Sequence, residues 1–271
     1  MVNDNLTGRV PDVWTNALGM KFRLVKAGEF KMGSPRCEAR RFADESLHSA
    51  TLTKDYYLSV FLTTQAEWRA VTGNNPSRFS DYKKAPVESV SWFDCQSFIE
   101  KLNEDEYGGE LKKFFGDAWI YSLPTEAQWE YACRAGTTSP FFFGSSSTGK
   151  EGNFGRNAGD LSKQGSKTNG LSAQSRGTFD VGSFPPNAWG FYDMSGNVCE
   201  WTLDGYADYE TDAVSDPLGV SVTAEKVARG GSWRSLPENC RSASRFNFLP
   251  TYRGDNCGLR VAIVQKQRGA V

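Results

Sequence analysis

Three segments of the chain carry apolar residues with the period of an amphipathic helix. Residues 91–102 begin with serine, a good N-cap residue, and repeat apolar side chains at i, i+3, i+4 and i+7. Residues 64–72 and 125–134 each begin with a capping-box pattern, and Gly136 follows the second segment. The pattern therefore predicts three short helices.

The strand signals are shorter. Alternation of apolar and polar residues predicts strands at 22–25 and 29–32, joined as a hairpin by the turn between them, and a further strand at 52–60. Residues 137–187 are rich in Gly, Ser, Thr and Asn and have almost no periodicity. Such a long irregular segment is typical of functional loops. Aromatic residues make up 13% of the chain, and their large buried area suits a fold with little regular structure.

Composition excludes several classes of function. The 271 residues suffice for one large irregular domain or two small ones. A net charge of −1 gives no basic field for nucleic acid, and no stretch is apolar enough for a membrane span. No signal-peptide pattern opens the chain, so the sequence leaves export undecided. The single histidine, His48, excludes a multi-histidine metal site or paired histidine catalysis.

The six cysteines lie far apart, and none of them forms a C-x-x-C pair. That spacing argues against a zinc ribbon or a thioredoxin-like redox site. Free buried thiols are the favoured interpretation, with one or two disulfides as the alternative.

Five ordered motifs carry a resemblance to a known family. They are Gly28-Glu-Phe-Lys-Met-Gly33, Pro86-Val-Glu-Ser-Val-Ser-Trp92, Leu123-Pro-Thr-Glu-Ala-Gln-Trp-Glu-Tyr-Ala132, Asn187-Ala-Trp-Gly-Phe-Tyr-Asp-Met-Ser-Gly-Asn-Val-Cys-Glu-Trp201 and Arg229-Gly-Gly-Ser-Trp233. Over residues 15–265 the chain resembles the formylglycine-generating-enzyme (sulfatase-modifying factor) family. The resemblance implies one α+β domain with an elaborated C-type lectin-like fold, made of small twisted antiparallel sheets, few helices and much irregular chain.

The enzymes of this family oxidise a sulfatase cysteine with copper, through a C-x-x-x-x-C pair that follows the Gly-Gly-Ser-aromatic motif. Here the first cysteine position falls on Ser235 and the second on Cys240. Because a serine hydroxyl is a poor Cu(I) ligand, we expect no copper and no catalysis. Sulfoxide synthases of the same fold bind iron through three histidines, which this chain lacks. An oxidase with an altered site and a regulatory domain of the same family are the alternatives.

Residues 229–262 resemble the variable proteins of diversity-generating retroelements, in which fixed glycine and arginine landmarks enclose diversified positions. The resemblance implies a non-catalytic protein at the cell surface, with a lipid anchor upstream and a protein or glycan as its ligand. The candidate ligand-binding residues are Trp233, Arg234, Ser235, Leu236, Glu238, Ser244, Phe246, Phe248, Thr251, Tyr252, Gly254 and Asp255. The landmarks Arg241, Arg245 and Arg260 are expected to hydrogen-bond within the frame rather than to a ligand.

The side chains of Phe246 and Phe248 have two interpretations. At alternate spacing both rings would face the core from one side of a strand. Pro250 and its polar neighbours argue against a continuous buried strand and favour an exposed surface.

A candidate metal loop occupies residues 193–200. The family resemblance implies Ca²⁺ bound by the side chains of Asp193 and Glu200 and by the carbonyls of Gly196 and Val198, since hard oxygen ligands suit this ion. The alternative is that the two carboxylates brace the loop by hydrogen bonds. The acidic run that begins at Asp204 is expected to be a solvated loop.

Overall fold

A computed structural model describes residues 11–80, 84–155, 177–210, 212–219 and 224–266. The helices within these ranges are α1 (Gln65–Thr72), α2 (Trp92–Asn103), α3 (Asp105–Phe115) and α4 (Glu126–Arg134). The strands are β1 (Val13–Thr15), β2 (Lys21–Val25), β3 (Gly28–Met32), β4 (His48–Leu52), β5 (Tyr56–Ser59), β6 (Trp119–Ser122), β7 (Cys199–Gly205), β8 (Val214–Ser215), β9 (Lys226–Arg229), β10 (Arg245–Phe248), β11 (Cys257–Leu259) and β12 (Ala262–Gln265). This is the predicted α+β class.

Three small sheets organise the fold. The first is antiparallel, with strand order β1-β2-β5-β12-β6, so the last of the described strands lies between β5 and β6. The second sheet, β10-β9-β7-β11, contains a parallel β7–β11 pair, and the third, β3-β4-β8, contains a parallel β4–β8 pair. The sheets are therefore partly mixed rather than purely antiparallel.

All three predicted helices are present, and each begins with a complete capping box. In α2 the reciprocal partner of Ser91 is Asp94. The sequence pattern missed α3, whose consecutive Gly108 and Gly109 lower its helix propensity. Gly108 is required there, because a Cβ at this position would lie 2.4 Å from the carbonyl oxygen of Asn103.

Two strand predictions are wrong. The strands at 22–25 and 29–32 exist but do not form a hairpin, since β2 pairs with β1 and β5 whereas β3 pairs with β4. The turn between them carries the chain from one sheet to another, and the carboxylate of Asp55 holds it through Lys26 and the amide of Ala27. Asp55 also lies within the predicted strand at 52–60. In the structure this segment is not one strand, because β4 ends at its first residue and β5 begins after Asp55.

The irregular interpretation of residues 137–187 is confirmed for its described parts, 137–155 and 177–187, which contain no helix or named strand. The remainder, 156–176, lies outside the described residues. Two apolar clusters form the core, one beneath α2 and α3 and one around α4. The thiol prediction is confirmed for five of the six cysteines, which are free and buried, while Cys37 is free and exposed. Within the described ranges, no helix has the length and apolar character needed to span a membrane.

Candidate functional site

Four buried arginines attach the C-terminal segment to the rest of the fold. Each forms an ion pair with a carboxylate from an earlier element: Arg229 with Glu130, Arg241 with Glu38 and Glu45, Arg245 with Glu126, and Arg260 with Glu200. All four arginines also donate hydrogen bonds to backbone carbonyls. The expectation that Arg241, Arg245 and Arg260 bind within the frame is confirmed.

Arg241, Arg245 and Arg260 each form a forked, charge-assisted ion pair, which fixes geometry. Arg260 illustrates it, since Nε and Nη2 donate to the two oxygens of Glu200 at 2.8 and 3.0 Å. Arg229 instead contacts one oxygen of Glu130 through Nη2. Burial alone would raise the pKa of Glu45, but the hydrogen bonds and charge of Arg241 outweigh it and hold that pKa below its usual value. Removal of one partner would leave a buried charge unpaired, so these positions tolerate little change.

An aromatic ladder, defined as Phe246, Phe248 and Tyr252, lies in the same C-terminal segment as these arginines. Ring centroids are 6.4 Å apart between the first two rings and 4.6 Å apart between the last two, and all three rings are nearly parallel. Phe248 also meets the buried ring of Trp201 edge-on, at 5.9 Å. Both phenylalanines pack against the core yet stay half-buried, and Tyr252 is 38% exposed. The ladder thus has an inner side on the core and an outer side in solvent.

A second group of predicted residues lies beside the ladder. Nη2 of Arg234 donates to Oδ2 of Asp255 at 2.6 Å, and Nε1 of Trp233 donates to the carbonyl of Asp255 at 3.0 Å. Arg78, from the loop after α1, donates to the same Oδ2 at 2.5 Å. The Tyr252 hydroxyl connects the two groups, because it contacts the residues on either side of Asp255. It lies next to Gly254 and hydrogen-bonds to Asn256 at 3.2 Å.

Most of the remaining predicted residues do not join this surface. Leu236 and Glu238 line a separate cavity of about 660 Å³, together with residues 145–150. Ser235 turns its hydroxyl toward the amide of Ser232, at 3.1 Å. Thr251 is exposed, but Ser244 has no exposed surface and Gly254 is buried. The side chain of Ser244 therefore does not reach solvent, and Gly254 contributes backbone alone.

The two positions that match the enzyme's cysteine pair form no accessible thiol site. Cys240 is fully buried, and burial raises the pKa of its thiol well above the usual range. Its sulfur packs against Gly231, where a Cβ would lie 2.4 Å from Sγ. The Ser235 hydroxyl lies 3.2 Å from the hydroxyl of Ser232. A cysteine sulfur binds a metal or acts as a nucleophile in its thiolate form, and burial of Cys240 opposes formation of the thiolate.

The candidate calcium loop fits the ion only in part. Asp193 is buried with Oδ1 unpartnered, and burial raises the pKa of its carboxyl to about 6. Glu200, by contrast, uses both oxygens for Arg260 and also accepts a bond from Nε1 of Trp129 at 2.8 Å. In the described part of the chain, no cluster of three His, Cys, Asp or Glu side chains could hold a metal.

The pattern of the sequence missed two residues near these sites. Asp204 is buried rather than solvated, and accepts bonds from the amides of Glu126 and Gly219. Burial raises the pKa of Asp204 to about 7. Arg78 has no motif or periodic signal, because only the folded loop brings it to Asp255.

Comparison with known proteins agrees with this fold. Variable protein 1 of Treponema denticola superposes with a TM-score of 0.76 and 24% identity, covering 93% of this chain and 99% of that one. The chaperone protein LppX of Paenibacillus barcinonensis is 29% identical over 88% of this chain and 87% of its own length. The formylglycine-generating enzyme of Mus musculus is 29% identical over 80% of this chain, which spans only 53% of that enzyme.

The expected fold of formylglycine-generating-enzyme type, with C-type lectin-like structural neighbours, is confirmed. The model of the sulfatase-modifying factor enzyme 1-like domain matches residues 15–265, which is most of the chain. The chain therefore belongs to the sulfatase-modifying factor enzyme 1-like family.

Proposed function

We propose that this chain is a non-catalytic binding protein whose residues 229–262 present a diversified ligand surface. One observation carries the proposal: buried arginines alternate with exposed side chains along the segment. Arg229, Arg241, Arg245 and Arg260 are at least nine-tenths buried, whereas the outer edges of the ladder and Arg234 face solvent. Exposed side chains can change at small cost to stability, because they contribute little to the core.

The fold shared with variable protein 1 of Treponema denticola supports this proposal. The same resemblance leads us to propose display at the cell surface and a protein or glycan as the ligand. The rival proposal of a copper-dependent oxidase requires a reactive thiolate at Cys240, and its burial opposes that requirement. Incubation with copper and a sulfatase-type Cys-x-Pro-x-Arg peptide should leave the peptide unchanged. Conversion of the peptide cysteine to formylglycine would instead support the oxidase proposal.

Sequencing of this gene from independent isolates tests the binding proposal. Substitutions should fall on positions whose side chains reach solvent, which are the exposed Arg234, Thr251 and Tyr252 and the half-buried Phe246 and Phe248. The four framework arginines should stay fixed, and so should the buried Ser244. Ser244 is the sharp control, because it lies within the segment but has no exposed surface. Variation spread evenly over buried and exposed codons would contradict a diversified surface.

We further propose that the 193–200 loop is held by internal hydrogen bonds rather than by Ca²⁺. The guanidinium of Arg260 supplies the positive charge that Glu200 needs, through two bonds. The unpartnered Oδ1 of Asp193 and the unpartnered Oγ of Ser195 in the same loop are the observations that favour a cation. Thermal unfolding with and without Ca²⁺ separates the two, because an ion that binds the native state raises the unfolding temperature.

A further inference from the structure

Arg78 and Arg234, here called the arginine pair, share a single carboxylate oxygen. Both donate to Oδ2 of Asp255, which is 9% exposed, while the arginine side chains are 64% and 50% exposed. Arg234 belongs to the C-terminal segment and Arg78 to the loop after α1. The pair therefore joins the proposed binding surface to a part of the scaffold outside it.

Aromatic rings hold both guanidinium groups in place. The guanidinium carbon of Arg78 lies 5.7 Å from the ring centroid of Phe79, and that of Arg234 lies 4.7 Å from the ring centroid of Trp233. The two rings meet edge to face at 5.4 Å. Cation–π contacts and a shared anion restrict long side chains that would otherwise be mobile. Binding of a ligand at this site therefore costs less free energy, because the two side chains are already ordered.

The pair keeps most of its hydrogen-bonding capacity. A guanidinium has five N–H donors, and within the described residues each of the two guanidiniums uses one of them, toward Asp255. A second carboxylate near the pair, that of Glu88, is buried and accepts hydrogen bonds from the amide of Phe79 and the hydroxyl of Ser89. The surface consequently presents cationic N–H donors, while both carboxylates lie beneath it.

We propose that the arginine pair binds the carboxylate of an acidic side chain on a protein ligand, an inference that rests on the proposed binding function. Planar guanidinium donors match a carboxylate in forked geometry. The adjacent ladder and the exposed Leu249 offer apolar surface suited to a protein partner. A polyanionic glycan would instead require an extended basic tract, and the chain has a net charge of −1.

Arg253, which follows Tyr252 in the chain, provides a matched control. Its side chain is 55% exposed, similar to those of the pair, but it has a carboxylate of its own. Nε and Nη2 of Arg253 donate to the two oxygens of Asp94 at 2.7 and 2.9 Å. This fork is complete, so Arg253 has little to gain from an added carboxylate.

The first test is an NMR titration of arginine Nε–H signals in the full chain. N-acetylglutamate amide should shift the signals of Arg78 and Arg234 but not that of Arg253, and neutral N-acetylglutamine amide should shift none. R78Q should weaken the shift at Arg234, because it removes one of the two guanidinium groups that attract the carboxylate. Equal shifts at all three arginines, or with the neutral probe, would overturn the proposal.

The second test selects peptides from a random library on the wild-type chain. Selected peptides should contain Asp or Glu, and should bind R78Q and R234Q at least about tenfold more weakly but R253Q about equally. Peptides whose binding requires Tyr252 but which lack an acidic residue would refute carboxylate binding by the arginine pair. They would still support the proposed binding surface. Peptides insensitive to Tyr252 and to both arginines would refute the proposed function itself. Binding of sulfated glycans instead of acidic peptides would overturn the choice of a protein ligand.

Discussion

Truncation of one ladder side chain tests whether the ladder is an exposed binding surface or part of the core. Tyr252→Ala removes a ring that stacks on Phe248 at 4.6 Å but is 38% exposed. An aromatic pair contributes about 0.5–1.5 kcal/mol beyond area burial, and part of the Tyr252 ring stays in water in either state. We therefore expect the free energy of unfolding to fall by about 1–2 kcal/mol.

The matched control is Phe98→Ala. Phe98 also stacks on a neighbouring ring, that of Trp68, with centroids 4.9 Å apart, but it has no exposed surface. A fully buried phenylalanine replaced by alanine costs about 3–5 kcal/mol, because a cavity remains. The two variants thus remove similar stacked rings that differ in burial.

Urea unfolding followed by tryptophan fluorescence measures both variants. The midpoint should fall slightly for Tyr252→Ala and strongly for Phe98→Ala, with unchanged slopes. A loss of about 3 kcal/mol or more for Tyr252→Ala would show that the ladder is part of the core. The proposal of a tolerant, exposed surface would then be refuted.

Three further predictions concern the frame. Arg241→Met should lower the free energy of unfolding by about 3–5 kcal/mol, because Glu45 is left buried without its cation; a urea midpoint unchanged from wild type would contradict this. The pKa of Asp204, about 7 when folded, exceeds its ordinary 3.8, so stability from this group is fully present below pH 4 and falls as pH rises toward 7; Asp204→Asn should flatten that part of the stability–pH curve, and an unaltered curve would refute the assignment. Addition of EDTA should leave the unfolding temperature unchanged, because Arg260 already neutralises Glu200. A lower unfolding temperature after chelation would instead support a bound calcium ion.

Local features were predictable wherever short-range chemistry decides them. The capping boxes at Thr64, Ser91 and Thr125 placed three helices, because a cap and its partner lie three residues apart. The role of Arg241, Arg245 and Arg260 was predictable in kind, since a guanidinium in a fixed frame pairs with carboxylates. Their partners were not, because these carboxylates lie between 60 and 203 residues away in the chain.

The sequence by itself determined three of the four described α-helices, the family and the segment that carries the proposed surface. Tertiary structure alone decided the strand pairing, which replaced the predicted hairpin by pairs in two different sheets. It also decided exposure: Phe246 keeps an outer edge in solvent, whereas Ser244, two residues earlier, has none. Only folding brings Arg78 to Asp255, a separation of 177 residues. Burial and long-range pairing depend on every element that covers a residue, and no local pattern encodes that information.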